Sequence, residues 1–268
     1  MKAALPTNLH DALAARSDAP SAIVLAGGTD VMVAVNSGRT RPASVVALRR
    51  VHELAELSRD RIGAGVTWRR LLASPDTALA QAARTVGSAQ IRAVGTIGGN
   101  VGTASPAGDG LTVLAALDAS IEVASVEGGT RLVAWRDFFV GVKRTALRVD
   151  ELITAIVLPS DRPTRSEFAK VGVRGAMVIA IVNACVARSH AGTLRVALGA
   201  VGPTVIRATR AEAFINGQPT YTVEVRDEFM RLVREEIAPI TDHRSTAEYR
   251  RHAAGVVAAR LLDRIMQP

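Results

Sequence analysis

The chain has 268 residues, a length that suits one large domain or two modest ones. Because 48% of the residues are hydrophobic, the chain can bury a core, and this composition excludes an intrinsically disordered chain. The formal net charge is +8, but the sequence has no basic tail and no basic residues interleaved with aromatic ones, so charge alone does not indicate a nucleic-acid-binding protein. No apolar run approaches the ~18 residues that a membrane span needs, and the N-terminus lacks the layout of a signal peptide. A cytoplasmic protein without a membrane span is therefore expected.

Cys185 is the only cysteine of the chain. A single cysteine excludes an internal disulfide, and it excludes an iron–sulfur cluster or a cysteine-based zinc site held by this chain alone. Cys185 lies in the apolar run "MVIAIVNACVA", which is typical of a small core residue. The five histidines are scattered and form no metal-binding spacing. We therefore expect no metal site in this chain.

The first third of the chain predicts a small set of helices and strands. Residues 7–16 favour a helix capped by Thr7 or Asn8. Strands are expected at 21–27, 43–51 and 61–72, the last running into a turn, and residues 31–38 fit either a helix or a strand. Residues 74–87 predict a capped helix with Ser74 as N-cap, Pro75 at the first helical position, Asp76 in the first turn and Gly87 just past its end.

The remainder predicts an α+β protein in two parts. A helix over 110–119, with Asp109 as its cap, precedes a hairpin over 120–135 and a strand over 151–159. The polar segment 161–166 predicts a boundary, which divides the chain into residues 1–161, with lobes of about 1–55 and 56–161, and residues 162–268. The second part predicts strands at 167–173, 177–188 and 193–201, then helices at about 222–237 and 246–266, the latter opened by a capping box from Ser245 to Glu248.

Two glycine-rich segments stand out. The first glycine segment is "VLAGGTDVMV" at 24–33, and the second glycine segment is "VGTIGGNVGTASPAGDG" at 94–110. Closely spaced glycines let backbone N–H groups approach an anion without a Cβ in the way, and two such cradles would suit a dinucleotide pyrophosphate. Ordinary surface turns explain the same composition. Neither a Walker-type phosphate loop nor a G-x-G-x-x-G fingerprint occurs after the first strand.

The motifs in chain order resemble the flavin subunit of molybdenum hydroxylases, the family of the carbon monoxide dehydrogenase medium subunit and the xanthine dehydrogenase flavin domain. The resemblance rests on "AGGTD", "TIGGN" and "ASPAGD", and it continues through "FFVGVKRTALRVDELI", "FAKVGVR", "ALGAVGPT" and "DHRSTAEYRRHAA". It therefore covers nearly the whole chain. The resemblance implies an FAD-binding domain of the vanillyl-alcohol-oxidase (PCMH) type, followed by a small α+β C-terminal domain.

The resemblance also implies which residues bind FAD. "AGGTD" corresponds to a first pyrophosphate loop, "TIGGN" to a second one, Asp109 to a contact with the nucleotide part, the start of "LITAIV" to a backbone contact with the flavin edge, and the lysine of "FAKVGVR" to a cation close to the flavin ring. The residues so assigned, with their flanks, are Val24, Leu25, Ala26, Gly27, Gly28, Thr29, Asp30, Val31, Thr96, Ile97, Gly98, Gly99, Asn100, Ser105, Asp109, Leu152, Ile153 and Lys170.

Two positions depart from the pattern of the family. Asp30 would place a carboxylate near a pyrophosphate, which is unfavourable unless the carboxylate points away or binds a ribose hydroxyl. Val86 stands where some members carry a phenylalanine, so no aromatic ring is available there to stack on the flavin.

The function implied is that of an FAD-carrying electron-transfer subunit in a multi-subunit molybdenum hydroxylase. Molybdopterin would lie on a large partner subunit and the two-iron, two-sulfur clusters on a small one, and electrons would leave to NAD, oxygen or a quinone. Such a subunit is a component of an oxidoreductase and needs no acid–base constellation, because the flavin carries the redox chemistry. The alternatives are a stand-alone FAD-dependent oxidoreductase, a non-enzymatic module that binds nucleotide or nucleic acid, and a scaffold that has lost its flavin.

Overall fold

The computed structural model describes residues 2–267. The chain begins with a small lobe in which three short strands form a parallel sheet, in the order β1-β3-β2. A helix follows each of the first two strands, as expected for parallel neighbours that need a crossover connection. The elements of this lobe are β1 (Lys2–Ala4), α1 (Leu9–Asp18), β2 (Ile23–Leu25), α2 (Val31–Asn36) and β3 (Ser44–Ala47), and two 3₁₀ turns follow at Leu48–Arg50 and His52–Ala55.

A second lobe combines six short helices with an antiparallel sheet in the order β4-β9-β5-β6. The predicted hairpin is confirmed, because β5 and β6 pair with each other around a turn at Gly128. The elements are β4 (Arg61–Gly63), α3 (Trp68–Leu71), α4 (Thr77–Thr85), α5 (Ala89–Val94), α6 (Ile97–Thr103), α7 (Asp109–Ala116), β5 (Ser120–Ser125), β6 (Gly129–Ala134), α8 (Trp135–Phe138), the small pair β7 (Phe139–Gly141) and β8 (Arg144–Thr145), and β9 (Leu152–Val157).

The C-terminal part is a four-stranded antiparallel sheet, in sequential order, followed by three helices. Its elements are β10 (Arg165–Val171), β11 (Val182–Arg188), β12 (Leu194–Gly199), β13 (Ile206–Arg207), α9 (Thr209–Asn216), α10 (Val223–Glu235) and α11 (Ala247–Met266). The prediction of an α+β fold is confirmed. Helix α11 is long enough to cross a bilayer but too polar, and no other helix within residues 2–267 is both long and apolar enough.

The sheet of the C-terminal part is buried on both faces, which explains why its strands are so apolar. Along β11, Ala184 and Val186 pack into a core shared with α10 and α11. Cys185 and Ala187 point the opposite way, into the core of the second lobe. This alternation follows from the two-residue period of a strand. The prediction that Cys185 is a core residue is confirmed, and burial raises the pKa of its thiol well above the ordinary value.

The predicted starts of three helices, α4, α7 and α11, are wrong by one or two residues. Helix α4 is capped by Asp76, whose side chain accepts from the Leu79 N–H, whereas Ser74 and Pro75 lie outside the helix. Helix α11 is capped by Thr246 rather than Ser245, and the predicted capping box does not form. Carboxylate and hydroxyl groups all cap well, so neighbouring candidates compete and local backbone geometry decides between them.

The second glycine segment is largely helical, not a ribbon. Residues 97–103 form α6, whose first turn is capped by the Thr96 hydroxyl. Asp109 does not cap α7 but is its first residue, and Gly108 occupies the cap position. Helix α6 needs glycine for packing, because a Cβ on Gly98 would lie 2.6 Å from the Ala64 carbonyl oxygen. The small residues therefore allow the helix to lie against the backbone of the β4–α3 connection.

We predict that, of two alanine substitutions in α6, only one lowers the free energy of unfolding. Gly98→Ala should lower the free energy of unfolding by about 1–3 kcal/mol, because its Cβ has no room against Ala64. Gly102→Ala is the matched control: its Cβ would meet only the Ile153 Cδ1 atom at 3.5 Å, so helix propensity should leave stability equal or raise it by up to about 1 kcal/mol. Urea denaturation measures both, and equal effects would contradict this packing.

Candidate functional site

A cleft of about 1030 Å³ opens between the small lobe and the second lobe, at the upper end of the range for cofactor sites. Both glycine segments line it, together with the start of β9 and the loop that joins β10 to β11. Of the residues assigned to FAD from the sequence, the structure places the following on its walls: Val24, Ala26, Gly27, Gly28, Thr29, Asp30, Val31, Thr96, Gly98, Gly99, Asn100, Leu152 and Ile153.

The first glycine segment presents a row of unused hydrogen-bond donors to this cleft. The backbone N–H groups of residues 26–31 donate to no acceptor elsewhere in residues 2–267. Buried or half-buried amides are normally paired, so a row without partners suits an external acceptor. Gly28 adopts a φ of +73°, a conformation that an L side chain rarely takes. This left-handed residue turns the chain from β2 into α2.

The second glycine segment differs from the first in its hydrogen bonding. The N–H groups of Ile97 and Gly98 donate to the carbonyl groups of Val66 and Ala64, and the Gly99 N–H donates to the Thr96 hydroxyl. These amides are therefore already engaged within the protein. The expectation that the amides of both segments are free to bind phosphate holds, in this structure, only for the first.

The carboxylate of Asp30 is engaged within the wall of the cleft. Its carboxylate accepts a hydrogen bond of 2.7 Å from the Thr103 hydroxyl, at the far end of α6. The same hydroxyl oxygen also lies 2.9 Å from the Gly99 carbonyl oxygen, a second acceptor for its one hydrogen. Asp30 thus ties the start of α2 to α6, and its carboxylate is occupied by a donor of the protein.

Asn100 contributes a polar atom without a partner. Its side-chain oxygen is buried, yet it accepts no hydrogen bond from any residue within 2–267. The residue belongs to the lining of the cleft and lies beside Gly110, where a Cβ would come within 2.8 Å of the same oxygen. A buried carbonyl oxygen without a donor is unfavourable by ~1–3 kcal/mol, which a ligand donor would offset.

Asp109 and Lys170 do not line the cleft but form a buried ion pair behind it. The Lys170 Nζ atom lies 2.7 Å from Asp109 Oδ2, and Asn183 donates to the other carboxylate oxygen at 2.7 Å. Both partners also contact Thr85, which donates its hydroxyl to Asp109 and accepts from Lys170 at its carbonyl oxygen. Thr85 directly precedes Val86, Gly87 and Ser88, which do line the cleft. The pair thus supports one wall of the cleft from behind.

Three other assigned residues also lie off the cleft lining. Leu25 is in β2, Ile97 is fully buried at the start of α6, and Ser105 accepts from the Ala107 N–H in the turn after α6. Residues that the sequence reasoning did not single out line the cleft instead, among them Thr67, Ser88, Glu151 and the segment 177–179. Glycine-rich motifs do not predict these residues, because their place at the cleft depends on how the lobes pack together.

Glu151 fixes the chain where β9 enters the cleft. Its side chain is almost fully buried and forms two hydrogen bonds with Arg131, at 2.7 and 2.8 Å. The Arg148 N–H donates a third, also at 2.7 Å. The hydrogen bonds from Arg131 lower the pKa of the Glu151 carboxyl below its ordinary value. A buried, ionised carboxylate therefore holds the residues just before Leu152 and Ile153.

Family comparisons agree with this arrangement of loops and cleft. Residues 1–161 match the model described as "FAD binding domain in molybdopterin dehydrogenase", and residues 167–265 match the "CO dehydrogenase flavoprotein C-terminal domain". The chain belongs to this family of FAD-binding subunits. FAD is accordingly its cofactor, and the protein is a component of molybdopterin-dependent oxidoreductases.

Individual relatives extend over nearly the whole chain. The nicotinate dehydrogenase FAD-subunit of Eubacterium barkeri is 32% identical, over 93% of this chain and 89% of its own length. The carbon monoxide dehydrogenase medium chain of Afipia carboxidovorans is 29% identical, over 97% of this chain and 94% of its own. Among solved structures, a chain of the Cu,Mo-CO dehydrogenase matches with a TM-score of 0.90 and 28% identity, covering 98% of this chain and 96% of that one.

We predict a pH-dependent loss of stability when Arg131 is replaced. Arg131→Met leaves Glu151 buried without its main partner, which should lower the free energy of unfolding near pH 7 by about 2 kcal/mol, between the values for exposed and buried pairs. Because the folded pKa of Glu151 is depressed, its stabilising effect is present above the unfolded pKa of about 4.3 and is lost as pH falls through the folded value. The deficit of the variant should therefore shrink towards pH 3.

Arg148→Met is the matched control. The Arg148 side chain is exposed and comes no closer to Glu151 than 4.0 Å, and the substitution keeps the hydrogen bond from the backbone N–H of residue 148 to Glu151. Urea midpoints measured between pH 3 and pH 7 check both variants. A deficit for Arg131→Met that stays constant with pH would mean that lost packing, and not the charge of Glu151, is responsible.

Proposed function

We propose that this chain is the electron-transferring FAD subunit of a multi-subunit molybdenum hydroxylase. The observation that carries the proposal is a large cleft with free backbone donors, in a chain whose one cysteine is buried in the core. One cysteine is too few to ligate an iron–sulfur cluster, so clusters that exchange electrons with the flavin would belong to a partner subunit. When bound, FAD supplies one- and two-electron redox chemistry. The protein supplies position and surroundings.

The free amides of residues 26–31 are our proposed site for the FAD pyrophosphate. Backbone N–H groups that donate to an ionised oxygen form hydrogen bonds about twice as strong as neutral ones. These donors are held in place by the left-handed turn at Gly28 and by the Asp30–Thr103 hydrogen bond. The orphaned Asn100 oxygen offers an acceptor for a ribose hydroxyl or an N–H group of the cofactor. These features of the described residues fit the cofactor.

The rest of the proposed site concerns the flavin end. The start of β9, with Leu152 and Ile153, lines the cleft and is our proposed backbone contact with the flavin edge. Direct contacts of Asp109, Lys170, Ser105, Leu25 and Ile97 with FAD stay predictions. Because Lys170 is already neutralised by Asp109 at 2.7 Å, we propose that the pair acts mainly by holding residues 85–88 against the cofactor.

Alanine at Gly28 should weaken FAD binding. An L residue is strained at a φ of +73°, and the backbone should relieve that strain by rotating and turning neighbouring amides away from the cleft. Loss of one such hydrogen bond to an anion corresponds to about a tenfold higher dissociation constant. Fluorescence titration of the flavin-free chain with FAD measures this change.

Gly38→Ala is the matched control for Gly28→Ala. Gly38 has almost the same φ, +71°, and its Cβ would have no atom within 4 Å, but it lies outside the cleft lining. Both variants should therefore lose similar stability, whereas only Gly28→Ala should lose FAD affinity. Equal FAD affinities in the two variants would remove the first glycine segment from the proposed pyrophosphate site.

The proposed partners are a molybdopterin-binding large subunit and an iron–sulfur small subunit, with NAD, oxygen or a quinone as final acceptor. Several relatives are named as a medium chain or an FAD subunit, which supports a heteromeric assembly. Purification through a tag on this chain from its native cells should yield a complex that contains molybdenum and iron in fixed ratio to FAD. Its spectrum should include cluster bands that the isolated chain lacks.

The opposite result is equally clear. A chain that purifies from its native cells alone, holds FAD and reduces an acceptor with its own small-molecule substrate would be a stand-alone oxidoreductase. That result would support the flavin site and contradict the electron-transfer role. The subunit and metal content of the protein purified from native cells therefore tests the two parts of the proposal separately.

A further inference from the structure

A second cavity, of about 730 Å³, lies where the second lobe meets the C-terminal sheet. It is at the opposite end of α4 from the flavin cleft, because Thr77 lines the cavity and the residues just after Thr85 line the cleft. Four stretches of chain form its walls: Arg59 before β4, the start of α4, the connection between β9 and β10 with the start of β10, and the turn between β11 and β12 with the start of β12. Residues from both parts of the chain therefore face the same space.

Arg195, which lines this cavity, is half-buried and has no hydrogen-bond partner for its guanidinium within the described residues. Its side chain is only 14% exposed, yet it forms no hydrogen bond with any residue in 2–267, and its Nη1 atom is buried. The nearest acid, Asp161, is 3.5 Å from Nη2 and is itself 74% exposed. Asp118, a further acid near Arg195, already accepts hydrogen bonds from Trp135 and Arg136. Removing a guanidinium from water is unfavourable when few hydrogen bonds and no close carboxylate replace the water, and a bound anion would supply both.

Other polar groups without partners surround the same space. Arg59 and Arg162 line it with Arg195, and Arg162 donates to the Arg59 carbonyl group and lies 3.7 Å from Asp60. Within the described residues, the exposed side-chain hydroxyls of Thr77, Ser160 and Thr193 form no hydrogen bonds. The lining contains two acids, Asp161 and Asp76. Asp76 is occupied as the cap of α4, where one oxygen accepts from the Leu79 N–H and from the Ser166 hydroxyl. The donors of this lining that no acceptor within the described residues engages therefore include the guanidinium of Arg195 and the three hydroxyls.

We propose that this cavity binds a phosphoryl group, either as inorganic phosphate or as part of a small phosphate ester. A guanidinium fork matches two oxygens of such a group, and three arginines with several hydroxyls suit its double negative charge better than the single charge of a carboxylate. The volume exceeds what one phosphate fills, so an organic part can be accommodated. Because both parts of the chain supply lining residues, a bound phosphoryl group would join them and stabilise the folded state.

The test uses the full-length, FAD-loaded chain. Isothermal titration calorimetry and thermal unfolding are carried out with inorganic phosphate and with glycerol 3-phosphate, at an ionic strength held constant with chloride, and glycerol is the uncharged control. We expect saturable binding and a higher Tm with both phosphoryl compounds but not with glycerol. Tighter binding of the ester would identify an organic phosphate as the ligand, and equal binding would identify phosphate itself.

Variants place the binding in this cavity. Arg195→Gln should weaken phosphate binding tenfold or more, because it removes a charged donor. Arg231→Gln is the matched control: it removes the same charge from the exposed face of α10, where Arg231 pairs with Glu228 and Glu235. If Arg195→Gln does not fold, as judged from flavin absorbance and circular dichroism, Arg59→Gln at the exposed rim takes its place and should weaken binding several-fold. No saturable binding, or variants that bind like the control, would overturn the proposal.

Discussion

The flavin cleft depends on backbone approaching backbone without side chains between. A Cβ on Gly27 would overlap the Val94 carbonyl group, and a Cβ on Gly98 would overlap Ala64. These contacts bring the first glycine segment against the end of α5 and bring α6 against the β4–α3 connection. Both therefore place the two glycine segments on one cleft. Glycine is required here because a Cβ would collide with the neighbouring backbone. The close contacts involve the Cα atoms and not the N–H groups, and the N–H groups of residues 26–31 remain without partners in the described part of the chain.

A buried polar network then links this cleft to the C-terminal sheet. Asp109 accepts from Thr85, Lys170 and Asn183, and Asn183 in turn accepts from Thr112 at 2.7 Å. The members come from α4, α7, β10 and β11, so the network crosses between the two parts of the chain. Each buried charge has an opposite charge and further hydrogen bonds, which is the condition under which such a group is tolerated. The wall at residues 85–88 is thereby fixed by residues distant in sequence.

The sequence was informative where local rules decide the structure. The hairpin of β5 and β6, the apolar strands β10 to β12 and the core position of Cys185 follow from periodicity and turn residues. It was less informative for the second glycine segment, because a helix as short and as rich in glycine as α6 has low intrinsic propensity and forms here through tertiary packing. The engagement of Asp30 by Thr103 and of Lys170 by Asp109 was equally inaccessible, since each pair is separated by more than sixty residues.

Helix α4 connects two anion-directed features that differ in their chemistry. At its C-terminal end, the cleft offers neutral backbone amides, and Asp30 and Glu151 are both satisfied within the protein. At its N-terminal end, the second cavity offers guanidinium groups, and Arg195 there is not satisfied. Neutral amides bind an anion without adding net charge beside a redox centre, whereas arginines do add charge. The nine residues of α4 separate the two features, so the guanidinium groups of the second cavity lie apart from the neutral amides of the cleft.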